Sequence, residues 1–151
     1  MPATDFDSPT FIDLFSGAGG FSCGFTLAGF HDLLAIELNF DAATTYKSNF
    51  PHTTVINDDI RSVHSLSVLN FLRSQDIDVI IASPPCEPFT TASIKRKKSA
   101  WSRFFEDPQG DLIFHVLRFI HDLEPRYFVI ENVVPMIAGE GRDILREAFS
   151  D

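Results

Sequence analysis

A cysteine follows a short apolar run in the middle of the chain. Residues 79–82 have the sequence Val-Ile-Ile-Ala, and Ser83, Pro84, Pro85 and Cys86 come directly after them. Because α/β enzymes place reacting groups at the carboxyl ends of buried parallel strands, this position favours a thiol nucleophile. The alternative is a small buried hydrophobic residue, which is the commoner role of a free cysteine.

An earlier apolar run leads into a glycine-rich turn. Residues 10–15 precede Gly17, Gly19 and Gly20, and glycines allow the backbone to approach a nucleotide-like ligand closely. Ser22 stands where the dinucleotide fingerprint requires its third glycine, and no Gly-Lys-Ser/Thr follows, so pyrophosphate and triphosphate ligands are both disfavoured.

Three acidic residues follow other apolar runs. Glu37 lies about twenty residues beyond the glycines, where a carboxylate can accept both hydroxyl hydrogens of a ribose. Asp59 could accept the amino group of an adenine, and Glu131 would have to meet a donor or stay protonated if it were buried. Each acid alone is equally consistent with a helix cap, a surface charge or structural pairing. Glu37 and Asp59 together outline an adenosine site.

The basic residues are concentrated after the cysteine, within a long stretch that predicts a mobile loop over about 87–107. The formal net charge of −9 argues by itself against nucleic-acid binding, but five of the twelve basic residues lie close together. They predict a segment that grips phosphates, with a solvated loop as the alternative. The five are Lys95, Arg96, Lys97, Lys98 and Arg103, with Trp101, Phe104 and Phe105 nearby.

Apolar runs alternate with amphipathic stretches along the whole chain, which predicts an α/β fold with a doubly wound, mostly parallel sheet. The 151 residues and 44% hydrophobic content suit a single domain. Stripes at helical spacing predict core-facing helices over 63–72 and 112–120. The five predicted strands are Thr10 to Phe15, Leu33 to Glu37, Thr53 to Ile56, Asp78 to Ala82 and Arg126 to Glu131.

Several classes of protein are disfavoured by composition. No apolar run approaches a bilayer span, and the first residues lack a basic start, so we expect a cytoplasmic protein without a membrane partner. Cys23 and Cys86 have no histidine at ligand spacing, so we expect neither a metal site nor a disulfide.

These motifs, in their order and spacing, resemble the first conserved blocks of the DNA cytosine-5 methyltransferases. The resemblance runs from Thr10 to about Ile137 and implies a Rossmann-like S-adenosylmethionine-dependent fold, incomplete at about five strands. The matching motifs are Asp13 to Gly20, Glu37, Asp59, Pro84-Pro85-Cys86 and Glu131-Asn132-Val133.

The resemblance implies a role for each matching residue. Phe15 would pack on the adenine of S-adenosylmethionine, whose product is S-adenosylhomocysteine, and Glu37 would hold the ribose. Asp59 and Ile60 would hold the adenine edge. The methionine part would lie on Ser16, Gly17, Ala18, Gly19 and Gly20, and Leu38, Pro84 and Leu112 would form walls.

The resemblance also implies the reaction. Cytosine swings out of the DNA duplex, Cys86 adds to its C6, and Glu131 contacts N3 and the exocyclic amine. Three residues depart from the family pattern: Glu87 replaces a glutamine, Thr90 a serine and Ser83 a glycine. A carboxylate next to the thiol opposes thiolate formation unless it points away or is paired.

The chain stops at Asp151, before the later blocks and the target-recognition region of the family, so we expect a second polypeptide to supply them. We expect DNA to be the substrate. We expect the protein to be located in a prokaryotic cytoplasm, with the nucleoid. Three alternatives stay open: a degenerate, non-catalytic remnant that acts as a binding module, a transfer-RNA cytosine-5 methyltransferase, and a Rossmann-type enzyme with a small-molecule substrate.

Overall fold

The computed structural model describes residues 8–73, 75–90 and 99–150. Its centre is a five-stranded sheet in the order β3-β2-β1-β4-β5, in which every neighbouring pair is parallel. The strands are β1 (Thr10–Leu14), β2 (His31–Ile36), β3 (Thr54–Ile56), β4 (Val79–Ala82) and β5 (Tyr127–Ile130).

Helices connect the strands and cover both faces of the sheet, which confirms the predicted doubly wound architecture. A short 3₁₀ turn over Val134–Met136 precedes the last helix. The helices are α1 (Gly20–Leu27), α2 (Phe40–Asn49), α3 (Ser65–Leu72), α4 (Ala100–Phe105), α5 (Leu112–Leu123) and α6 (Glu140–Ala148).

The sheet is buried on both faces because its central strands are almost wholly apolar. One face, with Ile12 and Ile80, packs into the main core with residues of α3 and α5. The other face, with Phe11 and Ile81, packs against the aromatic side chains of α1. Burial on both faces explains why these strands lack the alternation of a half-exposed strand.

β5 differs from the other strands because much of it is exposed. Tyr127 is 71% exposed, Phe128 45% and Val129 42%. Among the described residues β5 pairs only with β4, so its other edge is open. This uncovered apolar edge is able to pair with another strand.

The predicted strands all exist, with ends that differ from the prediction by two residues at most. The stripe predicted for the third helix is partly wrong: Leu66 is 58% exposed, and Val68 is buried in its place. The stretch predicted as a loop over 87–107 contains α4, which inserts Ala100 and Phe104 into the core. Phe104 is therefore a core residue and not part of a surface lid.

No helix within the described ranges is long and apolar enough to cross a membrane. The same part of the chain contains no cluster of three or more His, Cys, Asp or Glu residues arranged to hold a metal ion.

Candidate functional site

The turn after β1 has an unusual backbone that depends on its glycines. Gly17 and Gly19 have φ angles of 56° and 95°, which L-residues adopt with difficulty. Phe15 also has a positive φ, 66°, and the amides of Phe15 and Ser16 both donate to the carbonyl of Ile36. These bonds fix the turn to the end of β2.

Gly19 is also required by the packing beneath the turn. A Cβ at this position would lie 2.3 Å from Cε2 of Phe50 and 3.1 Å from Cδ2 of Tyr46. Gly17 and Gly20 have open space where a Cβ would point. The turn is therefore packed on one side against α2 and is open on the other, where a ligand can approach the backbone.

Glu37 connects the end of β2 to the glycine turn. One carboxylate oxygen accepts the Gly17 amide at 2.8 Å, and the other accepts the Asn39 amide at 2.7 Å. Each carboxylate oxygen can accept a second hydrogen bond. Glu37 can therefore hold the turn in place and still accept a hydroxyl group of a ligand.

Asp59 lies across the cleft from the turn and is paired with Arg61. Its Oδ1 accepts the Arg61 amide at 2.9 Å, and its Oδ2 lies 3.1 Å from the guanidinium. The backbone hydrogen bond and this cation lower the pKa of the Asp59 carboxyl. Arg61 extends to Asp111 at 2.8 Å and to the carbonyl of Pro108, so it links this acid to the segment before α5.

A cleft of about 750 Å³ opens between these elements at the carboxyl ends of the strands. This volume is typical of a site for a nucleotide-sized ligand. Six predicted cofactor residues line the cleft: Phe15, Glu37, Leu38, Asp59, Ile60 and Leu112. Further lining residues include Asn39, Phe40, Arg61, Ser83, Pro85 and Gln109.

The remaining predicted cofactor residues lie beside the cleft. Ser16 is buried, and the turn over 17–20 is not among the residues that line it. Pro84 is also buried, and its carbonyl accepts the side-chain amide of Asn132. Its neighbours Ser83 and Pro85 contribute to the wall instead.

Cys86 follows β4 at the start of a tight turn. Its carbonyl accepts the amides of Phe89 at 2.9 Å and of Thr90 at 3.0 Å, and the thiol belongs to a partly buried, free cysteine. Glu87 is exposed. Water therefore screens the charge of Glu87, which weakens the repulsion expected between this carboxylate and a thiolate.

Glu131 follows β5 at the same edge of the sheet. Its amide donates to the carbonyl of Ala82, and Asn132 donates to the carbonyl of Pro84 at 2.9 Å. The structure therefore brings the backbone after β5 next to the segment that leads to Cys86. Glu131 itself is exposed, so the burial considered for this acid does not occur.

Four of the five predicted phosphate-binding residues, Lys95, Arg96, Lys97 and Lys98, lie outside the described residues. Arg103 is on α4 and is only 8% exposed, which differs from the expected surface cation. Trp101, by contrast, is 61% exposed and packs on Phe105, with ring centroids 4.2 Å apart.

Sequence reasoning missed two residues that organise the site. Arg61 bridges Asp59 to Asp111, and Asn132 ties the end of β5 to the segment after β4. An arginine two residues after a candidate acid is a weak local signal for the first of these. The second had none, because the bond joins residues far apart in sequence.

A parallel sheet with a glycine turn and an acid-lined cleft at its carboxyl edge defines a Rossmann-like α/β fold. The chain belongs to the C-5 cytosine-specific DNA methylase family, whose model matches residues 9–150. It is 37% identical to the type II methyltransferase M1.HphI of Haemophilus parahaemolyticus, over 94% of this chain and 38% of the relative.

Two further proteins show the same relationship. The putative type II methyltransferase M.MjaORF1200P of Methanocaldococcus jannaschii is 35% identical, over 82% of this chain and 48% of that protein. The crystal structure of a putative DNA modification methyltransferase encoded within an E. coli prophage aligns with a TM-score of 0.75 and 31% identity. That alignment covers 95% of this chain and 37% of the other. The chain thus spans less than half the length of each.

Proposed function

We propose that this chain is the cofactor-binding and catalytic part of a DNA (cytosine-5)-methyltransferase that uses S-adenosylmethionine. The observation that carries the proposal is the cleft lined by Phe15, Glu37 and Asp59, whose wall continues through Ser83 and Pro85 toward Cys86. One site for an adenosine and one thiol therefore share an edge of the sheet. Family membership supplies the reaction class.

The residues that line the cleft fit the proposed cofactor. The ring of Phe15 and the side chain of Ile60 offer apolar surface for an adenine, and the acids offer acceptors for hydroxyl and amino groups. Glu37 would accept the ribose hydroxyls with the lone pairs that Gly17 and Asn39 leave free. The open side of the glycine turn leaves room for the methionine part.

The chemistry requires a nucleophile and a partner for the cytosine ring. S-adenosylmethionine, when bound, supplies the methyl group that cytosine C5 receives. The Cys86 thiolate would add to C6, which makes C5 nucleophilic. After methylation, C5 gives its proton to a base, and the C6–sulfur bond breaks to release the thiolate. Glu131, as the protonated acid, would donate its proton to N3 and accept a hydrogen bond from the exocyclic amine, and so help the ring accept charge.

DNA is the proposed substrate, and the target base must leave the duplex because C5 and C6 cannot be reached inside it. The chain carries a net charge of −9, which opposes DNA binding by this part alone. We propose that the region present in the longer relatives supplies most of the contacts to DNA.

We also propose that this region arrives as a second polypeptide docked at β5. Tyr127 and Val129 are exposed on a strand that pairs on one side only, as far as the described residues extend. An added strand would satisfy the open backbone groups and cover these side chains. The relatives have more than enough additional length to provide such a strand.

Cofactor binding is tested on the chain itself by titration calorimetry with S-adenosylhomocysteine and with a nicotinamide dinucleotide. We expect binding of the first only, and Phe15→Ala should weaken it because the ring that lines the cleft is lost. A preference for the dinucleotide would overturn the cofactor assignment. Leu27→Ala is a matched control because Leu27 is 84% exposed on α1 and does not line the cleft.

Catalysis is tested by trapping. The chain is mixed with S-adenosylmethionine and duplex DNA that carries 5-fluorocytosine, alone and with the C-terminal region of a longer relative. We expect a covalent adduct that Cys86→Ser abolishes, because fluorine at C5 blocks the release of the thiol. Cofactor binding without any adduct would support a non-catalytic module. Transfer of labelled methyl groups to transfer RNA but not to DNA would overturn the choice of substrate.

A further inference from the structure

A chain of buried polar side chains lies directly beneath the glycine turn. The Ser22 hydroxyl lies 2.5 Å from Oδ2 of Asp13 and 2.7 Å from the Tyr46 hydroxyl. Tyr46 in turn bonds Oδ2 of Asp32, which also accepts the Thr53 hydroxyl at 3.0 Å. All five side chains are less than 9% exposed, so they must satisfy one another.

The number of available hydrogens determines the protonation state of this chain. If both carboxyls were ionised, Ser22 would donate to Asp13 and Tyr46 would donate to Asp32. The contact between the two hydroxyls at 2.7 Å would then contain no hydrogen and would be repulsive. One additional proton on a carboxyl removes this conflict, because every oxygen pair then shares one hydrogen.

The surroundings of the two carboxyls indicate which one holds the proton. Burial raises the pKa of Asp32 as well, but the two hydroxyl donors that Asp32 receives and the nearby His31 oppose that rise and support its charged form. Asp13 is 1% exposed, and among the described residues its side chain has one donor, Ser22; the Oδ1 atoms of both aspartates have no partner there, so the number of donors is what separates the two. Burial, with Asp32 and Glu37 nearby, raises the pKa of Asp13 to about 7.

The same side chains support the glycine turn. The Tyr46 ring lies directly under Gly19, and Ser22 belongs to the first turn of α1, which the glycine turn enters. Asn49 of α2 donates to the carbonyl of Ala18 at 3.0 Å. A change in the order of the hydrogen bonds therefore reaches the backbone that faces the cleft.

We infer that Asp13 is a neutral carboxylic acid that donates through Ser22 and Tyr46 to the Asp32 carboxylate, and that this directional chain positions the glycine turn for the cofactor. The positioning of the turn for a cofactor rests on the proposed function, whereas the protonation of Asp13 does not. Asp13 is a positioning residue, since it lines no part of the cleft.

The expected pH dependence follows from the groups around Asp13. The groups that titrate are Asp32 on β2, Glu37 directly after β2, and Tyr46 on α2. Ser22 on α1 and Ile81, the neighbour of Asp13 on β4, carry no charge. A carboxyl pKa that is higher in the folded state stabilises the fold fully at low pH, and this stabilisation is lost as the pH rises. This pH window, in which the stabilisation is lost, runs from about pH 4 to about pH 7.

The first experiment measures protonation in the ligand-free chain. Carboxyl-carbon NMR should show one aspartate that titrates near neutral pH, and Asp13→Asn should remove it. In the wild type the unfolding constant should rise by about tenfold per pH unit within the window, from a single released proton. Asp41→Asn, on the exposed start of α2, is the matched control and should leave the titration unchanged.

Tyr46→Phe separates the hydrogen count from simple burial. The ring that fills the space under Gly19 stays, but Ser22 can now donate to an ionised Asp13 without conflict. We therefore expect the Asp13 titration to move to lower pH in this variant. An unchanged titration, or an Asp13 that is already ionised at pH 5 in the wild type, would overturn the proposal.

The positioning role has its own measurement. The protection factors of the amides of residues 17–20, which correct for base-catalysed intrinsic exchange, should fall as Asp13 deprotonates. In Asp13→Asn these protection factors should not change over the same pH range. Affinity for S-adenosylhomocysteine should fall several-fold between pH 6 and 8 in the wild type only. If exchange does not follow the titration, the positioning role is wrong. If exchange follows it but no S-adenosylhomocysteine binds, the inference stands and the proposed function fails.

Discussion

Replacing Glu37 by glutamine tests whether a charge holds the glycine turn to the sheet. The two carboxylate oxygens accept the Gly17 amide at 2.8 Å and the Asn39 amide at 2.7 Å. Glutamine has nearly the same shape but only one oxygen, so its NH₂ group must face one of these two donors. One charge-assisted bond is lost, and one backbone amide loses its acceptor.

The expected cost is about 1.5 kcal/mol, the low end for a bond to a charged group, because the site is partly open to water. For a chain of this size, such a loss lowers the melting temperature by about 3–6 °C. Affinity for S-adenosylhomocysteine should fall by about tenfold, because the ribose acceptor also loses its charge.

The assay is thermal unfolding followed by titration calorimetry on the same preparations. Glu147→Gln is the control because Glu147 is exposed on α6, away from the cleft, and should change the melting temperature by less than 1 °C. Equal melting temperatures for the two variants would refute the idea that the charge of Glu37 secures the turn. A normal melting temperature with weak cofactor binding would assign Glu37 to the ligand alone.

Three further predictions concern the turn, the cleft and the open edge. Gly19→Ala should destabilise the fold by about 2 kcal/mol or more in thermal unfolding, because the backbone at this position has φ 95° and the new Cβ would lie 2.3 Å from the Phe50 ring. Gly20→Ala is the control and should be neutral, because its Cβ would point into open space. Arg61→Ala should weaken S-adenosylhomocysteine binding several-fold in calorimetry. It should lower the free energy of unfolding by less than about 1 kcal/mol, because the ion pairs of Arg61 are about one-third exposed. Arg142→Ala removes a more exposed ion pair and should change neither the affinity nor the stability. Because β5 is open on one side, we expect the isolated chain to self-associate through this strand with rising concentration in sedimentation. Val129→Lys should reduce that self-association, because a charge at an edge strand opposes strand pairing, and an unchanged profile would contradict this role of β5.

The architecture could be predicted from sequence because its signals are local. Short, nearly continuous apolar runs predict strands that are buried on both faces. All five strands are present, and β1, β2 and β4 have this burial, whereas β3 and β5 are partly exposed. The glycine turn was predictable for the same reason, since glycine is the residue that tolerates the φ of 95° found at Gly19. Glu37 lines the cleft because it follows the strand next to this turn, and its role in binding a cofactor stays a prediction.

The errors arose where distant contacts decide burial. Arg103 and Phe104 looked like surface residues, but Phe104 packs on Phe89 with ring centroids 4.7 Å apart, and this contact draws α4 into the core. The close approach of Gly110 to the Arg103 backbone completes this packing. No short sequence pattern predicts contacts of this kind. The hydrogen-bonded chain beneath the turn was missed similarly, because its members come from four separate elements and the loop before β3.

Within the part of the chain that the structure describes, three non-glycine residues have a left-handed backbone: Phe15 at φ 66°, Arg73 at 48° and Glu124 at 46°. Such a conformation costs about 1–2 kcal/mol for an ordinary residue. Arg73 and Glu124 end α3 and α5 at the surface. Glycine at either position would relieve the backbone strain without removing a side chain that lines the cleft. A thermostabilising redesign should therefore change these two and spare Phe15, because its aromatic ring lines the cleft and would be lost in return for a small relief of backbone strain.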